Sequence, residues 1–239
     1  MPLEEKKLKR KYIAMIPARL GSKRIPKKNI RYMGEKPLIQ YPLDLSKDSG
    51  RFDEIWVNTE NRKLGEIVKK MGAQFHERPE ELAGDKATNR EFTYEFLQKH
   101  ECDYVVMVNP TSPLLRLETM NGFMDYIDSN DYDTVVSVIS EREETFFKGQ
   151  PLNFSLKEKI NSQMIEPVEK IVWALTAWKR ETFMRLQENG INPVFGGTIG
   201  KYAIPKDEAC DLDTPEDWNI AEGILMSRTN KFEERYMEI

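Results

Sequence analysis

The sequence has few of the side chains on which thiol and transition-metal chemistry depends. Its 239 residues include two cysteines and two histidines: Cys102, Cys210, His76 and His100. Such a small set argues against a disulfide framework and against a zinc site of the usual cysteine and histidine spacing. It also leaves little from which to build a histidine-based catalytic triad. Any catalysis is therefore expected to depend on carboxylates, basic side chains and a divalent cation.

Long apolar runs are also missing. Hydrophobic residues make up 39% and charged residues 32% of the chain, which is typical of a globular protein in water. No run approaches the roughly 18–20 apolar residues of a membrane helix, and the first residues contain no apolar signal core of about 7–15 residues. We therefore expect a cytoplasmic protein without a membrane partner. The length suits one large domain or a domain with a small appendage.

The charge of the chain is distributed unevenly. The formal net charge is −4, yet residues 1–31 contain eleven Lys and Arg against two Glu. The remaining 208 residues contain 25 basic and 38 acidic side chains. An acidic protein with a basic first segment is poorly suited to coat nucleic acid and well suited to bind one small polyanion. We expect no nucleic-acid partner.

Strand-like and helix-like stretches alternate along the chain. Apolar runs and apolar residues at helical spacing predict strands at 12–17, 54–58, 73–76, 104–108, 134–139, 171–178 and 199–204, and helices at 37–47, 61–72, 89–99, 120–127, 179–189 and from about 215. This order indicates an α/β fold of three layers with a mostly parallel, Rossmann-like sheet between helices. Residues 141–170 interrupt the order. We interpret them as an insertion in a single domain of residues 1–239, or as an arm that reaches a partner subunit.

Ligands of such a sheet bind in the loops after the carboxyl ends of the strands. Directly after the first predicted strand, IPARLGSKRIPKKN (16–29) places Arg19, Lys23, Arg24 and two further lysines around Gly21-Ser22. Basic side chains and the backbone N–H groups of a glycine-containing loop are what a di- or triphosphate requires. The segment is neither a Walker A loop nor GxGxxG. A solvated basic loop is the alternative interpretation.

Two further segments follow predicted strands. RPEELAGD (78–85) begins with Arg78, whose forked side chain can donate to two adjacent acceptors of a ligand; the alternative is an arginine that merely ends a strand. NPTSPLLR (109–116) has prolines that fix the backbone while Thr111 and Ser112 offer polar groups to a ligand. An ordinary turn is the alternative for this segment.

The fourth segment, DLDTPEDW (211–218), carries paired carboxylates. Asp211 and Asp213 are two residues apart, so on extended backbone they point to the same side and can share Mg²⁺. Thr214 followed by Pro215 and Asp217 predicts the capped start of a helix. That helix start explains residues 214–217 and leaves Asp211 for another role.

Together the four segments resemble the cytidylyltransferases that activate sialic acid and related nonulosonic acids. Residues 16–29 follow the pattern I-P-A-R-x-x-S-K-x-x-P-x-K-N, and the Lys28-Asn29 ending is similar to the sialate type rather than to the S-x-R-x-P-G-K-P version of the 3-deoxy-manno-octulosonate enzymes. The other segments are similar to R-P-x-x-L-A-x-D, Q-P-T-S-P-L-R and D-I-D-T-x-x-D. The resemblance spans residues 16–218 in the expected order.

The resemblance implies a fold of the nucleotide-diphospho-sugar transferase type, CTP and a 2-keto sugar acid as substrates, Mg²⁺ as cofactor and a homodimer. It implies that the nucleotide is bound by Arg19, Ser22, Lys23, Lys28, Asn29, Arg78, Asn109, Thr111 and Ser112. In the family the arginine at the position of Arg78 helps to recognise cytosine, whose acceptor edge fits its forked donors. Asp211 and Asp213 are the implied metal ligands. We expect Arg19, Lys23 and Asp211 to act in catalysis.

The sequence departs from the family pattern in two places. Asn109 stands where the family usually has Gln, and an extra Leu before Arg116 leaves the role of that arginine open. In the acceptor region, IVWALTAW (171–178) lacks the Asn and Gly of the family's R-x-N-G-A-I-Y-like stretch. Candidate sugar-binding residues there are Gln163, Lys170 and Thr176, with Arg142 and Trp173 as further possibilities, and the apolar positions of 171–178 are expected to be a buried strand.

Two alternatives remain open. The chain could transfer a nucleotide to a 3-deoxy-octulosonate or another sugar, or it could be a nucleotide-binding module without catalysis. The second carboxylate, Asp213, argues against a pure binder, which has no need of it.

Overall fold

The structure, a computed structural model, describes residues 9–229 and residue 237. Within these residues the strands are β1 (Tyr12–Pro17), β2 (Tyr32–Met33), β3 (Lys36–Pro37), β4 (Glu54–Thr59), β5 (Gln74–Glu77), β6 (Tyr104–Val108), β7 (Thr134–Glu141), β8 (Phe146–Phe147), β9 (Gln150–Pro151), β10 (Val168–Lys179) and β11 (Ile199–Ala203). The helices are α1 (Gln40–Ser49), α2 (Arg62–Lys70), α3 (Asn89–Leu97), α4 (Leu117–Ser129), α5 (Arg180–Glu188) and α6 (Pro215–Thr229).

The central sheet has the strand order β11-β7-β10-β6-β1-β4-β5. Strand β1 is parallel to β4 and β6, β4 is parallel to β5, and β7 is parallel to β11. Strand β10 is antiparallel to both of its neighbours, β6 and β7. It follows β7 through an irregular segment and not through a crossover helix, which a parallel neighbour would require. The predicted mostly parallel sheet is confirmed, with β10 as the departure from it.

Helices cover both faces of the sheet, as the alternation predicted. Tyr12, Ala14 and Ile16 of β1 pack in the core shared with α1, α2 and α4. The intervening Ile13 and Met15 pack with α3 and α5 on the opposite face. A strand buried on both faces needs apolar residues at every position, which is why β1 has a continuous apolar sequence.

A third apolar cluster joins the two ends of the chain. Ile25 and Leu38 from the first loop region pack with Leu114, Leu212 and Trp218. Because Leu212 lies between the two candidate metal ligands and Trp218 lies in α6, this cluster holds the aspartate segment against the basic loop after β1. The site thus depends on packing between segments that are distant in sequence.

Some helix boundaries differ from the prediction. The helix expected over 37–47 begins at Gln40, because Pro37 lies in β3, opposite Tyr32. Pro42 lies instead in its first turn, where the missing N–H removes no helical hydrogen bond. Asn61, at the start of the predicted helix 61–72, caps α2, since Leu64 N donates to Asn61 Oδ1 over 2.9 Å.

The segment between β7 and β10 contains the hairpin of β8 and β9 and one turn of 3₁₀ helix at Ser162–Met164. Its apolar side chains are unusually exposed, with Phe146 58%, Phe147 61%, Leu156 73% and Met164 73% accessible. The strand after it begins at Val168, three residues before the predicted start. The role of this segment stays a prediction.

Among the residues described here, no helix combines the length and apolarity needed to cross a bilayer.

Candidate active site

A pocket of about 310 Å³ lies at the carboxyl ends of β1 and β6. This is the edge of the sheet at which the sequence predicted a ligand. Nine predicted site residues line it, namely Arg19, Ser22, Lys28, Asn29, Arg78, Asn109, Thr111, Asp211 and Asp213. Lys23, Ser112, Gln163, Lys170 and Thr176 lie outside its lining.

The cations of the basic loop are held by carboxylates on two sides of the pocket. Arg19 Nη1 donates to Asp85 Oδ1 over 2.9 Å, and Lys23 Nζ lies 2.5 Å from Asp85 Oδ2. This pair draws Lys23 toward solvent, where 80% of its side chain is accessible. Arg24 Nη2 donates to Asp213 Oδ1 over 2.8 Å. Arg24 is therefore part of the site, although its sequence context gave no reason to prefer it to its neighbours.

Lys28 joins the basic loop to the aspartate segment. Its Nζ donates to the carbonyl of Leu212 over 2.5 Å. Burial lowers the pKa of Lys28 from its ordinary value, and the nearby carboxylates of Asp211 and Asp213 oppose that change. A cation held at this position is well placed to meet an anionic ligand in the pocket.

Two polar atoms at the pocket are buried without a hydrogen-bond partner in the described part of the chain. One is Oδ1 of Asn29, whose Nδ2 donates to the carbonyl of Arg19 over 2.8 Å. The other is Oγ1 of Thr111. Buried polar groups are rarely left unpaired, so these two atoms indicate where a ligand would complete the site.

Asp211 and Asp213 both line the pocket, while Leu212 between them is fully buried. The backbone of this segment is fixed because Leu212 N donates to the carbonyl of Thr111 over 3.0 Å. The predicted capping box is confirmed: Thr214 N donates to Asp217 Oδ2 over 2.7 Å, and Asp217 N donates to Thr214 Oγ1 over 3.2 Å. Thr214 thus caps α6 with Asp217 as its partner in the box, and the side chain of Asp213 pairs instead with Arg24 at the pocket.

The arrangement of these carboxylates fits Mg²⁺, which is commonly held by one or two carboxylates together with water and substrate phosphates. It does not fit a cation that needs a full protein cage, because no group of three or more His, Cys, Asp or Glu residues with that geometry exists among the described residues. The neighbouring Cys210 is a packed side chain, and burial raises the pKa of its thiol to about 11.

Of the polar residues considered in the segment after β6, half line the pocket. Asn109 and Thr111 line the pocket, whereas Ser112 lines a separate cavity beside α1. Arg116, whose role the sequence left open, points away from the pocket and pairs with Glu208, with 3.1 Å between Nη1 and Oε1. Glu208 is 1% exposed, so this ion pair ties the segment after β6 to the one that carries the aspartates.

The residues predicted to bind the sugar acid do not lie where the prediction placed them. Thr176 is fully buried in β10, opposite Met107, and Gln163 and Lys170 are exposed outside the pocket. Trp173 lines the pocket instead, because the register between β10 and β7 shifts between Ile171 and Thr176. Such bulges re-aim side chains beside binding sites. The predicted buried strand is confirmed only for its second half, Ala174–Trp178.

Ser137 of β7 holds this bulge. Its Oγ lies 2.5 Å from the carbonyl oxygen of Val172 and 2.9 Å from that of Leu175, and it accepts the N–H of Leu175 over 3.1 Å. The sequence named Trp173 only as a possibility. Asn89 and Phe92 of α3, which also line the pocket, carried no motif that would have placed them there.

The pattern of cations, carboxylates and unpaired polar atoms can now be set beside known proteins. The profile of the cytidylyltransferase family matches residues 13–217. The chain belongs to the cytidylyltransferase family. The match covers every segment that lines the pocket, from the basic loop to the aspartates.

Individual relatives support the same placement. The chain is 30% identical over 218 residues to an N-acylneuraminate cytidylyltransferase of Streptococcus agalactiae, covering 87% of this chain and 52% of that protein. It is 24% identical over 229 residues to a pseudaminic acid cytidylyltransferase of Campylobacter jejuni, covering 88% and 94%. The chain spans about half the length of the N-acylneuraminate cytidylyltransferases that it matches.

A solved structure has the same fold. It is a CMP:2-keto-3-deoxy-manno-octonic acid synthetase complexed with CTP, and it superposes with a TM-score of 0.66 at 19% identity, covering 92% of this chain and 100% of that one. At this identity the likeness concerns the fold, and it agrees with the nucleotide-sugar transferase architecture expected from the sequence.

Proposed function

We propose that this chain couples CTP to a 2-keto sugar acid of the sialic, legionaminic or pseudaminic type and releases pyrophosphate. The observation that carries the proposal is the meeting of the basic loop with the aspartate segment at Lys28, which donates to the carbonyl of Leu212 between Asp211 and Asp213. Cations suited to a triphosphate and carboxylates suited to a divalent ion thereby face one pocket. The names of the relatives supply the substrate class.

In the proposed reaction, the anomeric hydroxyl of the sugar acid attacks the α-phosphorus of CTP. The bond from that phosphorus to the pyrophosphate oxygen breaks, and the hydroxyl proton passes to a base, for which we propose Asp211. Arg19 and Lys28 neutralise the charge that develops on the leaving pyrophosphate. Positioning and charge neutralisation supply most of the acceleration in phosphoryl transfer. Lys23 joins them only if it is released from Asp85.

Asp211 and Asp213 are the residues that would hold Mg²⁺. When bound, the ion supplies positive charge at the phosphate oxygens. The support is that both carboxylates line the pocket and that the capping box of Thr214 and Asp217 does not use the side chain of Asp213. The ion would compete with Arg24 for Asp213.

The proposal includes a cytoplasmic homodimer. The exposed apolar residues of the segment between β7 and β10, among them Phe146 and Met164, suit burial against a second copy. A solution mass near twice the monomer mass of 28.0 kDa is the expected result of light scattering. A monomeric mass at micromolar concentration would remove this part of the proposal and leave the reaction untouched.

The reaction is tested by measuring pyrophosphate release with CTP, UTP and ATP against a panel of sialic, legionaminic, pseudaminic and 3-deoxy-octulosonic acids. We expect turnover with CTP, Mg²⁺ and a nonulosonic acid. Turnover confined to 3-deoxy-octulosonate would favour that transferase instead. Binding of CTP without turnover on any acid would favour a nucleotide-binding module.

A further inference from the structure

One edge of the Arg78 guanidinium donates two hydrogen bonds to a single residue, Asn58. Nε of Arg78 donates to Asn58 Oδ1 over 2.7 Å, and Nη2 donates to the Asn58 carbonyl over 2.8 Å. Asn58 lies in β4 and Arg78 directly follows β5, and these strands pair in parallel with Asn58 opposite His76. Arg78 is 4% exposed and Asn58 is fully buried.

The face of the guanidinium rests on an aromatic ring. Cζ of Arg78 lies 4.3 Å from the ring centroid of Phe92 in α3. Within residues 9–229, Glu60 and Glu95 favour the charge of Arg78 from a distance, but neither forms an ion pair with it, although its charge is nearly removed from water. Burial lowers the pKa of Arg78 to about 10, which leaves it protonated at neutral pH. A buried cation without a paired anion needs acceptors from elsewhere.

The N–H groups of Arg78 that Asn58 leaves without a partner show from which side further acceptors must approach. A guanidinium has five N–H groups in one plane, and Asn58 accepts two of them. The remaining hydrogens lie on Nη1 and on the outer side of Nη2, and they form a fork. Two adjacent acceptors fit such a fork. Cytosine offers O2 and N3 as adjacent acceptors, whereas N3 of uracil carries a hydrogen.

We propose that Asn58 sets the preference for cytosine over uracil by orienting the donor fork of Arg78 toward the pocket. Asn58 does not line the pocket, so it is a positioning residue and acts through Arg78. Its own orientation is fixed because Nδ2 lies 3.5 Å from Sδ of Met15, which leaves Oδ1 facing Arg78. The inference rests on the proposed CTP-dependent function and adds the residue that enforces the choice of base.

The test compares CTP with UTP in the wild type and in two variants at position 58. Asn58→Ala removes the acceptor of Nε and frees the guanidinium to rotate, and we expect the ratio of kcat/KM for CTP to that for UTP to fall at least tenfold. Asn58→Asp keeps an acceptor oxygen in the same place and is expected to retain most of the ratio. Calorimetric dissociation constants for CTP and UTP are measured alongside the kinetics.

Asn61→Ala serves as the matched control because it lies three residues along the chain and removes the cap of α2 without touching Arg78. It is expected to lower the melting temperature and leave the CTP to UTP ratio unchanged. If folded Asn58→Ala keeps the wild-type ratio, or loses both nucleotides equally, the inference is overturned. A wild type that does not prefer CTP overturns the proposed function itself, and with it this inference.

Discussion

Two cavities of about 310 Å³ lie at opposite ends of the central sheet, and they differ in how fully their buried polar groups are hydrogen-bonded. At the amino ends of the strands, Lys9 pairs with Asp53, and Arg51 pairs with Asp125 and Asp128. At the carboxyl ends, Arg19 and Arg24 are also ion-paired, with Asp85 and Asp213. Polar atoms of Asn29 and Thr111 nevertheless have no partner among the described residues. Equal volume therefore says little about function.

The charged side chains at the amino-end cavity pair with one another. The Tyr12 hydroxyl also donates a hydrogen bond to Asp128 Oδ1 over 2.6 Å. A ligand would have to displace ion pairs there. The carboxyl-end pocket gains hydrogen bonds when a ligand arrives, because its unpaired groups are already desolvated. Substitutions at the two ends should accordingly separate effects on activity from effects on stability.

The largest difference is expected between Asp211→Ala and Asp53→Ala. Loss of Asp211 removes a carboxylate that would hold Mg²⁺, and with it positive charge at the phosphates. It should lower kcat about 10²–10³-fold, by analogy with the loss of another electrostatic contact to developing charge. Asp53→Ala should change kcat by less than about twofold, since Asp53 accepts from the backbone N–H of Tyr12 and stabilises only the fold. Pyrophosphate release at saturating CTP and Mg²⁺ measures both. Near-full activity of Asp211→Ala would contradict the metal assignment.

The next difference is expected between Lys28→Met and Lys9→Met. A partly buried cation that contacts a triphosphate contributes more than a solvated one, so Lys28→Met should weaken CTP binding about 10–100-fold, the equivalent of about 1.5–3 kcal/mol. Lys9, which is 87% exposed, should have no measurable effect. Titration calorimetry with CTP gives both constants. Equal affinities of the two variants would show that the carboxyl-end pocket is not the triphosphate site.

A pH series sharpens the comparison because it tests a third region, the pair of His76 and His100. This pair lines neither cavity, and its titration should change the stability of the fold. Nδ1 of His76 lies 3.0 Å from Nε2 of His100. Burial lowers the pKa of His76, and burial with its histidine neighbour lowers the pKa of His100 to about 4. The unfolded chain, with histidine pKa values of about 6.5, binds more protons between these values, so stability falls as pH is lowered from about 6.5 to 4.

The melting temperature should therefore drop by a few degrees over this range. His100→Gln, which cannot take up that proton, is expected to flatten the dependence. An unchanged slope in His100→Gln would assign the acid sensitivity to other groups, such as the carboxylates of the amino-end cavity.

The smallest effect is expected for Arg51→Ala. Its two ion pairs at the amino-end cavity are partly exposed, so their loss should lower the free energy of unfolding by only about 0.5–1 kcal/mol and leave CTP affinity unchanged. Urea denaturation and calorimetry measure the two quantities. A clear loss of CTP affinity would show that the amino-end cavity is coupled energetically to the carboxyl-end pocket and would contradict the separation of the two cavities.

Local sequence signals predicted the elements well where one short-range interaction decides the structure. The Thr214–Asp217 capping box and the Asn61 cap are each formed within four residues, and both are present in the structure. The helix expected from Pro37 failed because tertiary packing placed that proline in β3. Two prolines close in sequence are equally compatible with a first helical turn, and local pattern cannot choose between them.

The site was predictable in its residue types but not in its contacts. The motifs named nine residues that do line the pocket. They could not indicate that Asp85 draws Lys23 toward solvent, or that Ser137 holds the bulge from which Trp173 reaches the pocket. Those outcomes depend on segments that approach one another only when the sheet is assembled.

By itself, the sequence determined the alternation of strands and helices, the edge of the sheet at which a ligand binds, and the cations and carboxylates available there. These follow from the spacing of apolar residues and from motifs that are local in the chain. The tertiary structure alone decided which charges are paired with each other and which are left for a ligand. These pairings are set by long-range packing, because an ion pair such as Arg24 with Asp213 joins positions 189 residues apart in the sequence.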